Sequence, residues 1–116
     1  MKTILIVEDN ALNQRFFYDV LGIYGARPLQ AYDAQEALTI LKKITPDLIL
    51  MDIQLPRVSG IELTKQIRSI PHLKHIPIVA TTAFAFEEKE DELLQLGFNK
   101  VLFKPVHIKE LKKLCE

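Results

Sequence analysis

The chain has a single cysteine, no net charge and no long apolar run, and each of these absences excludes a class of protein. Cys115 has no partner, so no intrachain disulfide forms and a reducing compartment is favoured. Because 15 basic residues balance 15 acidic ones, no overall field attracts the protein to nucleic acid or anionic lipid. Apolar runs such as ILIV and LILM are far too short to span a membrane, and the N-terminus turns acidic before a signal-peptide core develops. We expect a cytoplasmic protein without direct contacts to nucleic acid or membrane.

The composition that remains is that of one ordinary globular domain. The 116 residues are 48% hydrophobic and 26% charged, and they contain no repeat, low-complexity tract or Gly/Ser linker. We predict a single domain over residues 1–116. The initiating Met1 favours a complete protein, while a domain cut from a larger chain stays open as an alternative.

Short apolar runs alternate with segments of helical period along the whole chain, which is typical of an α/β fold. Strands are predicted at residues 3–8, 28–32, 48–51, 78–82 and 100–103, with helices between them and after the last. Right-handed crossovers then give a five-stranded parallel sheet covered on both faces, a three-layer doubly wound architecture.

Two local patterns predict how the first helices begin, end and pack. Leu12, Phe16, Val20 and Tyr24 recur every four residues and predict the apolar face of the first helix, which Gly25 is placed to end. In the second helix, the first turn carries a capping pair of an aspartate and a glutamate three residues apart.

Each strand end carries a polar group in an apolar context. The first strand ends in Glu8 and Asp9, the third in Asp52, the fourth in Thr82 and the fifth in Lys104. Ligands of doubly wound sheets bind beyond the carboxyl ends of the strands, where the strand order reverses. We therefore expect these side chains to converge on one crevice.

That set of groups suits phosphoryl transfer. Three adjacent carboxylates repel one another, and Mg²⁺ is the cation that a shallow site with few carboxylates favours. Lys104 and the Thr82 hydroxyl complete a set that neutralises the oxygens of a transferring phosphoryl group, and a carboxylate can be the nucleophile, giving an aspartyl phosphate. Taken singly, each residue has an ordinary explanation: Asp9 or Asn10 as a helix cap, Thr82 as a packed strand residue, Lys104 as a surface charge.

Four motifs in this order, ILIVEDN, DLILMDIQLPRVSG, IVATTAFA and FKP, resemble the receiver domains of two-component response regulators. The resemblance runs from about Lys2 to the C-terminus. It implies the flavodoxin-like strand order 2-1-3-4-5 and a single receiver domain over residues 1–116 with no output domain. Among receivers, these motifs are most similar to those of stand-alone receivers of bacterial cell-cycle phosphorelays.

The resemblance also implies a role for each matched residue. Asp52 is expected to be the phosphoacceptor. Glu8, Asp9 and Asp52, together with the backbone carbonyl of Gln54, are expected to hold Mg²⁺. Thr82 and Lys104 correspond to the switch hydroxyl and the lysine of the family. A cis peptide is expected between that lysine and the proline that follows it.

The function that the resemblance implies is a signalling switch rather than an enzyme. A sensor histidine kinase or a histidine phosphotransfer protein would donate a phosphoryl group to Asp52, and the altered surface would bind a downstream protein partner. The domain is expected to be a monomer or weak dimer. A receiver excised from a hybrid kinase or a larger regulator is the alternative within the family.

One position departs from the family pattern, and two others bear on the rate at which the phosphoryl group is lost. Val101 stands where receivers usually carry Tyr or Phe, so the usual aromatic toggle is in doubt, although Phe103 shares the same strand face. Gln54 and Phe84 match the positions that, in the family, tune how readily water attacks the acyl phosphate. The bulk of Phe84 leads to the hypothesis of slow self-dephosphorylation.

Two alternatives belong to other classes of protein. A flavin-binding domain of the same architecture needs hydroxyl and glycine residues after its first strand, where the acidic sequence EDN would repel a phosphate. A hydrolase with an aspartyl nucleophile usually has a second carboxylate two residues later, and Gln54 stands there. The residues at these positions therefore do not favour either alternative.

Overall fold

The computed structural model describes residues 1–83 and 87–116, except for the side chains of residues 87–89. Five strands alternate with five helices in these described ranges. In chain order they are β1 Thr3–Val7, α1 Ala11–Ile23, β2 Arg27–Ala31, α2 Ala34–Leu41, β3 Leu48–Asp52, α3 Gly60–Ser69, β4 Ile78–Thr82, α4 Glu87–Gln95, β5 Lys100–Phe103 and α5 Ile108–Leu114.

The strands form one parallel sheet in the order β2-β1-β3-β4-β5, as predicted. The chain moves from β1 outward to β2 and then returns to place β3 on the other side of β1. The order therefore reverses between β1 and β3, which is where a crevice opens at the carboxyl edge of such sheets. Val7 lies opposite Met51, and Asp52 lies opposite Thr81.

Helices cover both faces of the sheet, so every residue of the central strands β3 and β4 is buried. One core layer packs Leu5, Ile49 and Met51 against residues of α2, α3 and α4. The other packs Ile6 and Leu50 against residues of α1 and α5. The three-layer prediction is confirmed, and the alternation of side chains along each strand explains why the strands read as continuous apolar runs.

The predicted apolar face of α1 was wrong except at Val20. Leu12 is 81% exposed, whereas the helix buries Gln14, Phe17, Val20 and Leu21. Each step of four residues turns about 40° beyond a full helical turn, so three such steps leave the original face. Alternating steps of three and four residues stay on one face, and Gln14, Phe17 and Leu21 follow that spacing.

Polar caps fix where the helices begin. Asn10 accepts a hydrogen bond from the Asn13 N–H at 3.0 Å at the start of α1. At the start of α2, Asp33 accepts from the Glu36 N–H at 2.8 Å, as the capping pair predicted. The Glu36 carboxylate reaches the N–H of Tyr32 at 2.8 Å rather than that of the cap itself.

Arg68 joins three segments at the end of the sheet where β4 and β5 begin. Its guanidinium donates to the carbonyl oxygens of Gly97, Lys74 and Ile76, and to Asn99 Oδ1, at 2.6–3.1 Å. Burial lowers the pKa of Arg68. These bonds tie the C-terminal turn of α3 to the turn that follows α4.

Among the helices of the described ranges, none combines the length and apolar character that crossing a lipid bilayer requires.

Candidate functional site

The carboxyl ends of β1 and β3 bring three carboxylates together. Oxygen atoms of Glu8, Asp9 and Asp52 all lie within 4.8 Å of one another. Glu8 is 1% exposed and Asp52 is 3% exposed, while Asp9 faces solvent. Two buried acids and one exposed acid therefore form an open-sided oxygen cluster, which matches the ligand type that Mg²⁺ prefers.

Lys104 supplies the positive charge of the cluster. Its Nζ lies 3.0 Å from Glu8 Oε1 and 3.1 Å from Asp52 Oδ2. Three carboxylates and one ammonium leave two uncompensated negative charges when all are ionised. A divalent cation matches that deficit, so the residues present fit a magnesium ion.

Burial and the neighbouring charges together shift two pKa values in the cluster. Burial is the largest cause that raises the pKa of Glu8, and the charge of Asp52 adds to it, although the Asn10 amide and Lys104 oppose it. Burial alone would lower the pKa of Lys104, but its contacts with Glu8 and Asp52 outweigh burial and raise that pKa. One ammonium with two anionic partners is well compensated, whereas each carboxylate receives only part of its charge.

Backbone contacts fix the position of Asp52. Its Oδ1 accepts the N–H of Gln54 at 2.8 Å, which leaves Oδ2 on the side of Lys104. The carbonyl of Ile53, the residue after Asp52, accepts the N–H of Gly60 at 3.1 Å. A Cβ on Gly60 would overlap the Asp52 carbonyl oxygen and lie 2.7 Å from Ile53 Cα. Glycine is required here because α3 begins against the end of β3.

Asp9 is not the cap of α1, because Asn10 has that role. The Asn10 N–H also donates to Glu8 Oε2 at 3.0 Å, and Asn13 Nδ2 lies 3.4 Å from Glu8 Oε1. The first turn of α1 therefore holds the buried Glu8 carboxylate, while the exposed Asp9 projects beside it into the cluster.

Thr82 and Lys104 lie at neighbouring strand ends, as predicted. Thr82 is completely buried, and its carbonyl accepts the Lys104 N–H at 2.8 Å. The peptide between Lys104 and Pro105 is cis, as the family resemblance implied. All five predicted polar groups thus lie at one edge of the sheet.

Two aromatic side chains, Phe98 and Phe103, belong to the same core layer as Val101. Val101 is buried with Phe98 in the layer that α3 and α4 cover, and Phe103 packs against the same layer. The prediction that Phe103 shares the face of Val101 is confirmed. Phe84, on which the hypothesis of slow self-dephosphorylation depends, lies outside the described residues.

Sequence reasoning missed Gln14, which is completely buried beside the acidic cluster. Its Nε2 lies 3.1 Å from the Glu8 carbonyl oxygen and 3.0 Å from that of Ala31. A signal was present: Gln14 shares the three-and-four spacing of Phe17 and Leu21, which places an amide on the buried face.

Comparisons with known proteins agree on one family. Residues 4–116 match the response regulator receiver domain. The polar-differentiation response regulator DivK of Brucella anthropi is 42% identical over 107 residues, which are 92% of this chain and 87% of DivK. The chemotaxis response regulator CheY4 of Vibrio cholerae has a TM-score of 0.92 at 29% identity, covering 98% of this chain and 95% of CheY4.

A further similar structure contains a metal. The receiver domain of the sensor histidine kinase PA1611 from Pseudomonas aeruginosa PAO1 has a magnesium ion coordinated in its active site cleft. It matches with a TM-score of 0.88 at 34% identity, over 98% of this chain and 93% of that domain.

A parallel sheet of order 2-1-3-4-5 with an acidic cluster at its carboxyl edge is the arrangement of an α/β signalling domain of the receiver class. The chain belongs to the response regulator receiver domain family. The flavin and hydrolase alternatives gain no support from these relatives.

Replacing Gly60 with alanine should destabilise the fold, because the new Cβ meets the backbone of Asp52 and Ile53. We expect the free energy of unfolding in denaturant to fall by about 1–3 kcal/mol. Gly22 is the matched control, since a Cβ at that position in α1 meets nothing within 4 Å. Gly22→Ala should stabilise the protein by about 0.5–1 kcal/mol. Equal effects of the two substitutions would contradict the close approach at Gly60.

Glu8→Gln should stabilise the metal-free protein at neutral pH. Because the folded-state pKa of Glu8 is raised, the folded state binds more protons than the unfolded chain between the ordinary and the raised pKa. Stability from Glu8 is therefore present at low pH and is lost as pH rises through the raised pKa. In a Mg²⁺-free buffer, the Tm of Glu8→Gln relative to wild type should rise between about pH 4 and pH 8. A difference that falls over this range would reverse the assigned sign.

Proposed function

We propose that this protein is a phosphorylation-controlled signalling domain in which Asp52 accepts a phosphoryl group. The donor is a phosphorylated histidine of a sensor histidine kinase or a histidine phosphotransfer protein. The observation that carries the proposal is the placement of Asp52 at the open edge of the sheet, with Oδ2 held 3.1 Å from Lys104 Nζ among three carboxylates. Family membership and the similarity to DivK support it.

The chemistry is a transfer between two nucleophiles. A carboxylate oxygen of Asp52 attacks phosphorus, the new O–P bond forms, and the P–N bond to the donor imidazole breaks. The electron pair of that bond stays on the imidazole nitrogen, which can take a proton from solvent. The Gln54 N–H and the Lys104 ammonium orient the Asp52 carboxylate before the donor arrives.

Glu8, Asp9 and Asp52, with the backbone carbonyl of Gln54, are the residues that would hold Mg²⁺. When bound, the ion offsets negative charge on the phosphoryl oxygens. Glu8 remains anchored by the first turn of α1, and Asp9 is exposed, so this pair presents oxygens toward the open side of the cluster.

Phosphorylation changes the partners of Lys104. The Asp52 oxygens that now face the ammonium are replaced by a group carrying about two negative charges. We assign Thr82 as the hydroxyl that responds to this group, because it ends β4 one residue beyond Thr81, the partner of Asp52 in the sheet register. The rearranged surface is what a downstream protein partner would read, and a cytoplasmic location fits this exchange with kinase domains.

The donor protein would dock on an apolar patch beside the site, made of Leu12, Phe16 and Ile108. These side chains are 81%, 38% and 48% exposed. Phe16 and Lys104 line the same surface cavity of about 560 Å³, together with Pro105, so the patch reaches the site itself. A histidine can reach Asp52 only if its own protein covers this edge, and exposed apolar side chains there favour such a contact.

The phosphoacceptor assignment is tested by intact mass after incubation with Mg²⁺ and a small phosphodonor such as acetyl phosphate. Wild type should gain one phosphoryl group, and Asp52→Asn should gain none because the amide is a poor nucleophile. Asp19→Asn, which changes an exposed aspartate of α1, is the control and should behave as wild type. If Asp52→Asn is labelled as fully as wild type, the assignment fails.

Docking is tested by comparing the rate of transfer from a protein phosphodonor with the rate of labelling by a small-molecule phosphodonor. Leu12→Ala should slow transfer from a phosphorylated histidine phosphotransfer protein roughly tenfold, which corresponds to the loss of about 1.4 kcal/mol at one apolar contact of the docked complex. Labelling by acetyl phosphate should stay at the wild-type rate. Ile23→Ala removes an equally exposed side chain, 78% exposed, at the far end of α1 and should change neither rate. Equal slowing by both variants would remove the patch from the proposal.

A further inference from the structure

Gln14 is a buried amide whose bonds all lead into the ends of two strands. It is completely buried, and its Nε2 lies 3.0 Å from Ala31 O, 3.1 Å from Glu8 O and 3.3 Å from Ile6 O. All three partners are backbone carbonyls, which only accept hydrogen bonds. The amide nitrogen must therefore face the strands, which fixes the orientation of the side chain.

The opposite atom of this amide has no such partner. Among the residues that the structure describes, Gln14 Oε1 finds no hydrogen-bond donor. A buried acceptor without a donor is unfavourable, and the three hydrogen bonds that Nε2 donates to backbone carbonyls are set against that cost. The amide is therefore oriented to satisfy the strand ends.

The Gln14 bonds hold the backbone on both sides of Glu8. The Glu8 N–H donates to Ala31 O at 3.1 Å, and the Glu8 carbonyl accepts from Gln14. Because Gln14 also binds Ala31 O, the amide bridges the ends of β1 and β2. The peptide group that leads from Glu8 to Asp9 is therefore fixed, and this peptide sets the spacing between the two carboxylates.

We propose that Gln14 is a positioning residue of the magnesium site. By fixing the Glu8 carbonyl, it fixes the direction in which the chain leaves β1, and so the place from which Asp9 offers its oxygen. This inference rests on the proposed function, since it concerns the same metal site. Groups that orient metal ligands in this way typically change metal affinity about 10- to 100-fold when they are removed.

The test compares Gln14→Met with wild type in a Mg²⁺ titration of the unphosphorylated protein, followed by ¹H–¹⁵N NMR spectra. Methionine keeps the length of the side chain and removes both the donors and the unpaired oxygen. We expect the Kd for Mg²⁺ to rise roughly tenfold. We expect the Tm to fall as well, because the Ile6, Glu8 and Ala31 carbonyls lose a donor, so the Kd for Mg²⁺ is the deciding measurement.

Arg68→Lys is the matched control, because Arg68 also donates to backbone carbonyls but at the opposite end of the sheet. It should lower the Tm and leave the Kd for Mg²⁺ unchanged. If Gln14 only supports the fold, its replacement will resemble Arg68→Lys, with a lower Tm and an unchanged Kd, and the inference is overturned.

A measurement on wild type covers the case in which Gln14→Met does not fold. The side-chain NH₂ signals of Gln14 should resist exchange with solvent and should shift during the titration with the same Kd as the Asp9 amide. Rapid exchange, or signals that do not move, would refute the inference while Mg²⁺ binding itself stands. If wild type binds no Mg²⁺ at all, the proposed metal site fails and this inference fails with it.

Discussion

Two buried carboxylates that share one ammonium group are the constraint on which the rest of this molecule depends. Glu8 and Asp52 both contact Lys104, from strands that lie on either side of the reversal in sheet order. Removing charges from water is costly unless they are paired and hydrogen-bonded. The surrounding caps, loop amides and helix starts therefore hold these charged groups in place, and the incomplete balance of charge favours binding of a cation.

Much of the fold was predictable because its local signals agree. The strands β4 and β5 have the predicted bounds, since each is an apolar run between polar or proline-containing turns. The site residues were predictable for a related reason, because an ionisable group that ends a buried strand is conspicuous. Asp52 is the clearest example: its apolar run predicts both the strand and the edge at which the carboxylate emerges.

What escaped prediction depends on contacts between distant segments. Gln14 donates a hydrogen bond to the carbonyl of Ala31, 17 residues further along the chain, and nothing in the local sequence pattern predicts that bond. Gly60 resembles any glycine before a helix until the end of β3 is placed against it. The face of α1 was misjudged because a spacing of four residues drifts around a helix, and only the packed sheet shows which side is covered. The choice of partner depends on the surface of a second protein, which this sequence does not contain.

The hydrogen bonds of Arg68 also hold the end of α4 in place. They anchor the Gly97 carbonyl, just beyond the end of the helix, to α3 and to the start of β4. One side chain thus joins the ends of two helices to the start of a strand, and its loss would release all three from one another.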